Sequence, residues 1–133
     1  MRWFWKHRQP DTWEVAGDEP SGDIDAAHRI RDICASAQSI AQAMAVVGGR
    51  RAERKRAAEA ERYQAAIKCA LEISMKIADD AMRDNSVSEI IRLSVKVDHL
   101  KTAGVLLRVI RSPNTRAELI AEHPELIDQD AAN

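Results

Sequence analysis

The stretch AAHRIRDICASAQSIAQAMAVV, residues 26–47, sets the fold class of this chain. Its apolar residues recur at alternating intervals of four and three, the spacing of a seam along one side of a bundle helix. Gly48 and Gly49 follow directly, and glycine just past a periodic run favours the left-handed conformation that ends a helix. We therefore predict a helix over about 23–47, with a seam formed by Ala26, Ile30, Ile33, Ala37, Ile40, Met44 and Val47.

A second helix is predicted over about 51–83. Between residues 62 and 83 the apolar side chains fill an arc of roughly 200° on a helical wheel, with charged side chains opposite. An arc that wide exceeds the stripe needed for one neighbour, so this helix is expected to contact two. At ~1.5 Å per residue it is roughly 50 Å long, which is more than a domain of this size needs. One end is therefore expected to project.

A third helix is predicted over about 87–111. Asp84 and Asn85 interrupt the apolar pattern, and Ser86 followed by Glu89 forms a capping box that starts a new helix. A rival interpretation is a β-hairpin with strands near 90–97 and 105–111, because apolar and polar residues also alternate there. The capping box and the helical neighbours favour the helix, since an isolated hairpin is marginally stable without further strands.

A short C-terminal helix is predicted over about 116–122. Pro113 ends the third helix, and Thr115 with Glu118 forms a second capping box. The whole pattern predicts an all-α, antiparallel bundle of three main helices plus this short one, occupying residues 23–122. An irregular N-terminal segment, aromatic and basic and then acidic, fills residues 1–22, and an acidic tail fills residues 123–133.

The composition excludes several classes of protein. A chain of 133 residues with 45% hydrophobic residues has the length of one domain. Its net charge of -1 excludes a histone-like polycation and a highly charged disordered chain. Two cysteines are too few for a disulfide-rich secreted scaffold, and no signal-peptide core follows the first basic residues. We therefore expect a cytoplasmic protein.

The inventory of catalytic motifs is poor. The sequence has no glycine-rich phosphate loop, no His-Glu-x-x-His pair and no serine in a nucleophile elbow. His28 shares a helix face with Asp25 and Asp32, but ligands on one exposed face leave a metal mostly hydrated, so a solvated face is preferred. Cys34 is predicted to be a small core residue and Cys69 a partly exposed thiol. We expect no catalytic residue, no metal site and no cofactor.

Trp3, Phe4 and Trp5 are three of the five aromatic residues of the chain, and we call them the aromatic tip. They suit a pocket on a protein partner, and fold-back onto the alanine-rich bundle is the alternative. Contact with a membrane surface is a third possibility, although the first five residues of the chain bury too little area for stable insertion. The predicted partner-binding residues are this tip together with Ile33 and Ile40 of the seam.

A basic cluster follows the glycine pair. Five bases and one acid lie between residues 50 and 56, at a helix start where the macrodipole favours the opposite sign. Phosphates of a nucleic acid or another anion are natural ligands, whereas neutralisation by the acidic segment 11–25 or the acidic tail is the simpler alternative. The candidate anion-binding residues are Arg50, Arg51, Arg54, Lys55 and Arg56.

Taken together, these patterns predict a non-catalytic helical interaction or assembly module. The exact seam and the broad apolar arc of the second helix favour self-association, so a homo-oligomer is expected. The alternative is a small nucleic-acid-binding accessory protein, of the kind found in phages and mobile elements, that uses the basic cluster.

Overall fold

The computed structural model describes residues 22–46 and 50–131 of this chain and confirms the all-α prediction. No strand occurs in these two ranges, so the rival hairpin is wrong. Three long helices pack together and shorter helices complete the C-terminal part. The six helices are α1 (Asp23–Val46), α2 (Arg50–Met75), α3 (Asp80–Lys96), α4 (Leu100–Leu107), α5 (Pro113–Glu122) and α6 (Leu126–Ala131). The predicted irregular segment lies outside the described residues except for Gly22.

The seam of α1 packs in the core of the bundle. Ile30, Ile33 and Ala37 are completely buried, while Met44 near the end of the helix is half-buried. The α2 helix packs against both α1 and α3, which confirms that it has two neighbours. It contributes Tyr63, the only aromatic residue among those described. Most of the remaining core is isoleucine, leucine and alanine, so the core is built almost entirely from aliphatic side chains.

The boundary between the second and third helices lies at residues 76–79, earlier than predicted. Asp79 is the N-cap of α3, and its carboxylate accepts the backbone N–H of Met82 at 2.9 Å. The carboxylate of Asp23 accepts the N–H groups of Ala78 and Asp79, both at 3.0 Å. These acceptors satisfy donors that a helix start leaves unpaired. Ser86, predicted to cap the helix, is instead buried within α3.

The predicted third helix is divided between α3 and α4 by a turn at residues 97–99. The N–H of His99 donates to the carbonyl of Ser94 at 2.7 Å, and the N–H of Asp98 donates to Val95 at 3.0 Å. This pair of hydrogen bonds is a Schellman motif, in which the residue after the C-cap adopts the left-handed conformation. Asp98 occupies that position with a φ of 64°. Glycine is the usual residue at that position, so the sequence pattern did not predict the turn.

Replacing Asp98 with glycine is expected to raise the free energy of unfolding by up to about 1 kcal/mol. A β-carbon in the left-handed region costs roughly that amount, and glycine removes it while keeping both hydrogen bonds. Asp98→Ala retains the β-carbon without the local hydrogen bonding of aspartate, so it should be the less stable of the two. Urea unfolding of both variants checks this. Equal urea midpoints for Asp98→Gly and Asp98→Ala would show that the left-handed conformation carries no cost for a β-carbon at this position.

The segment before α5 is held at the start of α3 by Asp84, and α6 packs against α4. Ser112 is the N-cap of α5, and Pro113 occupies the first turn of that helix, where its missing N–H costs nothing. Thr115, predicted to be the cap, instead donates its N–H to the Ser112 hydroxyl at 3.3 Å. Part of the predicted acidic tail forms α6, and Leu126 of that helix is fully buried.

The first half of α2 projects from the bundle. At about 1.5 Å per residue, the 26 residues of α2 span about 39 Å, whereas the 17 residues of α3 span about 25 Å. Residues 53–58 are all exposed, and burial in the core begins at Tyr63. The projecting end expected for this helix therefore exists. We call residues 41–46 and 50–62 the arm.

Candidate functional site

A groove runs between α1 and α3, which are parallel neighbours. The guanidinium of Arg31 lies 3.6 Å from the carboxylate of Glu89, and seven residues further along each helix Gln38 and Lys96 line the same concavity. The two helices are parallel because α2, which lies between them in the sequence, runs antiparallel to both. Both helices also pack on α2, and α5 reaches the groove through the ion pair of Glu122 with Arg92.

The groove consists of two adjoining concavities of about 370 Å³ each. Both contain Gln38 and Lys96, so they form one continuous depression. The first concavity is further lined by Arg31, Cys34, Ala35, Glu89, Arg92 and Leu93. The second, at the α4 end, is further lined by Ala41, Gln42, Met44, Val97, Asp98 and His99. We call the whole depression the α1/α3 groove.

Charged side chains stand on the rims of the groove. Arg92 makes a bidentate ion pair with Glu122 of α5, with N–O distances of 2.9 and 3.1 Å. The hydrogen bond from Arg92 lowers the pKa of the Glu122 carboxyl, and the same bond raises the pKa of Arg92. Lys96 makes no ion pair with any described residue. The groove therefore presents one unneutralised cation midway along its length.

The floor of the groove is apolar. Burial raises the pKa of the Cys34 thiol to about 12, and the nearby Glu89 carboxylate adds to the shift. Such a thiol stays protonated at neutral pH and behaves as a small apolar side chain. Behind it, burial raises the pKa of the Tyr63 hydroxyl to about 12, with Ser94 opposing the shift. The Tyr63 ring meets His99 edge to face, with centroids 5.0 Å apart, which connects α2 to the start of α4.

The predicted partner-binding residues are divided between the core and the undescribed part of the chain. Ile33 is completely buried and Ile40 is nearly so, inside the bundle of this chain. Their side chains are therefore used in intramolecular packing. The aromatic tip, Trp3, Phe4 and Trp5, lies outside the described residues.

The basic cluster lies on the arm. Arg54, Lys55 and Arg56 are exposed there. The side chains of Arg50 and Arg51 are not among those that the structure describes. A cavity of about 270 Å³ is lined by Ala43, Met44, Lys55, Arg56, Glu59 and Arg62. Glu59 is the single carboxylate of that cavity, and Arg62 holds it with two hydrogen bonds of 3.0 and 2.8 Å. The cavity is therefore basic.

Metal sites and membrane spans are two further classes of site to consider in residues 22–46 and 50–131. Within these ranges no group of three or more His, Cys, Asp or Glu side chains is arranged to hold a metal ion. None of the helices described is both long enough and apolar enough to cross a membrane.

The α1/α3 groove was not predicted from the sequence. One local signal existed, because residues 33–44 carry no charge and their polar members, such as Gln38 and Gln42, are uncharged amides and hydroxyls. An outward helix face without charge is unusual beside so many charged neighbours. Its partner on α3 lies more than fifty residues away in sequence, so no local pattern joins the two sides.

Comparisons with known proteins returned no relative. A scan of family models, a search of curated proteins and a search of solved structures found no match to this chain.

Proposed function

We propose that this protein is a non-catalytic helical interaction module that self-associates through the α1/α3 groove. The open groove along two parallel helices is the observation that carries the proposal. A groove between two helices accepts a third helix, and two such pairs facing each other make a four-helix arrangement. The apolar floor around Cys34 and Leu93 supplies area to bury, and the charged rims supply register.

The rim charges support a twofold arrangement of two copies. In an isologous interface, each residue meets a different residue of the partner and the contact is repeated across the axis. With the helix pairs antiparallel and the axis near Ala35, Glu89 of one copy faces Lys96 of the other. Arg92 of one copy then lies close to the axis and to Arg92 of the other copy. The two guanidinium groups repel each other, and the ion pair of each with Glu122 reduces that repulsion.

Molecular mass over a concentration series, measured by light scattering or sedimentation, tests this proposal. We expect wild type to shift toward the mass of two chains as concentration rises. Ala35→Arg should weaken the association by at least tenfold, because it places two unpaired charges at the axis. Ala65→Arg is the matched control, since Ala65 is also an exposed alanine within a helix but lies on the outer face of α2.

A charge exchange tests the register. Glu89→Lys and Lys96→Glu should each weaken the association, because like charges then face each other across the interface. The double variant should restore it, since each pair is again of opposite sign. A chain that stays monomeric at every concentration would overturn the proposal, and a double variant no better than the singles would overturn the antiparallel register.

Nucleic-acid binding through the basic cluster is the second candidate function. The exposure of Arg54, Lys55 and Arg56 on a projecting arm favours it. Engagement of all five bases implies a log–log salt slope of roughly -4 to -5 on duplex DNA. We expect weak binding that is lost by about 0.15 M salt, where the Debye length is about 8 Å. Submicromolar binding at that salt, abolished by alanine at Arg51, Arg54, Lys55 and Arg56, would make this candidate the function.

A further inference from the structure

We infer that the cavity on the arm is a binding site for a small phosphorylated molecule. The phosphate group lies among Lys55, Arg56 and Arg62, and the apolar part of the ligand contacts Ala43 and Met44, all of which line the cavity. This site goes beyond the proposed function, because self-association through the α1/α3 groove does not require it. It also gives the bases of the arm a more specific ligand than a nucleic-acid backbone.

The inner face of α2 changes character where the helix projects from the bundle. Its buried residues recur at intervals of three and four, as Tyr63, Ala66, Ala70 and Ile73. Continued toward the start of the helix at the same spacing, this line reaches Glu59 and then Arg56. Two charged residues therefore occupy positions at which a bundle helix places apolar side chains. Departures of this kind from the apolar pattern are expected at functional sites.

The facing helix leaves space beside these charges. Ile40 of α1 and Tyr63 of α2 are both buried in the core. One turn further along the arm, Ala43 and Met44 of α1 help to enclose a cavity of about 270 Å³. That volume is just below the ~300–1,000 Å³ typical of sites for small molecules. A compact ligand, such as one ring with its phosphate, is therefore the appropriate size.

The charge of the lining matches a phosphate monoester. Lys55, Arg56 and Arg62 supply three positive charges and Glu59 supplies one negative charge, which leaves a net charge of two positive units. A phosphate monoester carries a charge of about -1.5 to -2 at neutral pH, so it neutralises the lining almost completely. A carboxylate leaves one positive charge unbalanced. Arginine also binds phosphate oxygens through two parallel hydrogen bonds, which suits the two guanidinium groups here.

Glu59 holds one of these guanidinium groups in place. The Nη1 atom of Arg62 donates to both carboxylate oxygens of Glu59, at 3.0 and 2.8 Å, and only 17% of the Glu59 side chain is exposed. A side chain that is already held loses less conformational freedom when a ligand binds. The Glu59 charge, however, repels an anion. Glutamine at this position keeps one acceptor for Arg62 and removes the repulsion, so it should strengthen phosphate binding.

Calorimetric titration with phenyl phosphate at low salt tests the inference, with inorganic phosphate and benzoate as comparison probes. We expect phenyl phosphate to bind at least about tenfold more tightly than either, because it alone combines a dianion with an apolar ring. Met44→Gln should remove most of the difference between phenyl phosphate and inorganic phosphate, since it replaces an apolar wall of the cavity with a polar side chain of similar size.

Three variants of α2 separate a defined site from general attraction by charge. Arg56→Gln should weaken the binding of phenyl phosphate at least about tenfold. Arg54→Gln is the matched control, because it removes the same charge from an exposed position of the arm that does not line the cavity. It should change the affinity by less than about twofold, as charges in water are screened. Glu59→Gln should increase the affinity several-fold, a gain that damage to the fold cannot produce.

Equal losses for Arg54→Gln and Arg56→Gln would overturn the inference, because bases that act only through net charge do not form a site. That result is the one expected if the outside of the arm contacts a nucleic-acid backbone. No detectable binding of phenyl phosphate at about 1 mM would also overturn it, and benzoate that binds as tightly would overturn the assignment to phosphate. A chain that binds phenyl phosphate but stays monomeric would support this inference while refuting the proposed function.

Discussion

Replacing Ile33 with aspartate should leave the chain unfolded at room temperature. The Ile33 side chain has no exposed area in the core between α1 and its neighbours. Removing it costs about 2–5 kcal/mol, and burying an unpaired carboxylate in its place costs several kcal/mol more. A domain of this size has a total stability of about 5–15 kcal/mol, so the loss is comparable to the whole. Circular dichroism at 222 nm over a thermal scan measures it.

Ile24→Asp is the matched control for that experiment. It makes the same chemical change on the same helix, but the Ile24 side chain is 67% exposed. We expect a change within about 0.5 kcal/mol of wild type, as for most surface substitutions. If Ile33→Asp melted like Ile24→Asp, the assignment of the seam to the core would be wrong. The pair separates the effect of burial from that of adding a charge.

The seam was readable from sequence because both of its signals are local. Apolar spacing identifies the buried face of α1, and the glycine pair ends the periodic run within about one residue of the observed helix end. Neither requires knowledge of any other part of the chain. The all-α class, the two neighbours of α2 and the projecting end of α2 follow from patterns of the same kind.

The start of α3 was not readable because its stabilising contacts are not local. Asp23 supplies acceptors to Ala78 and Asp79 from more than fifty residues away. Without that contact, the apolar pattern runs through residues 76–79 unbroken, and Asp84 looks like the better helix breaker. The groove escaped detection for the same reason, because its two walls come together only through the packing of both helices on α2.

The turn at Asp98 shows a different limit. Left-handed residues at helix ends are usually glycine, and the nearest glycine in the sequence is Gly104. That glycine is buried inside α4, whereas an aspartate takes the left-handed position. Short polar side chains tolerate this conformation, but they occur at many other positions too. The residue type therefore predicts the turn much less well than glycine would.

Replacing Asp84 with alanine should lower the free energy of unfolding by about 3–6 kcal/mol. Its buried carboxylate accepts the backbone N–H groups of Arg111 and Ser112, at 3.2 and 2.9 Å. Hydrogen bonds to a charged group contribute about 1.5–3 kcal/mol each, and removing the acceptor leaves two donors unsatisfied. The buried Arg83 guanidinium, 4.0 Å away, also loses a neighbouring negative charge. Asp32→Ala, at an exposed position of α1, is the matched control and should change stability by less than about 0.5 kcal/mol.

Asp84→Ala should destabilise α5 before it destabilises the rest of the bundle. Asp84 holds the backbone of Ser112, and the Ser112 side chain caps α5, so losing the carboxylate weakens the cap as well. Amide hydrogen exchange should therefore accelerate first in residues 111–122, before the core of α1 and α2 responds. Asp84→Asn keeps one oxygen acceptor and should fall between wild type and alanine in urea unfolding. Exchange that accelerates uniformly over all helices would mean that Asp84 supports the bundle as a whole. Exchange confined to residues 111–122 identifies it as the residue that fastens α5 to the first turns of α3.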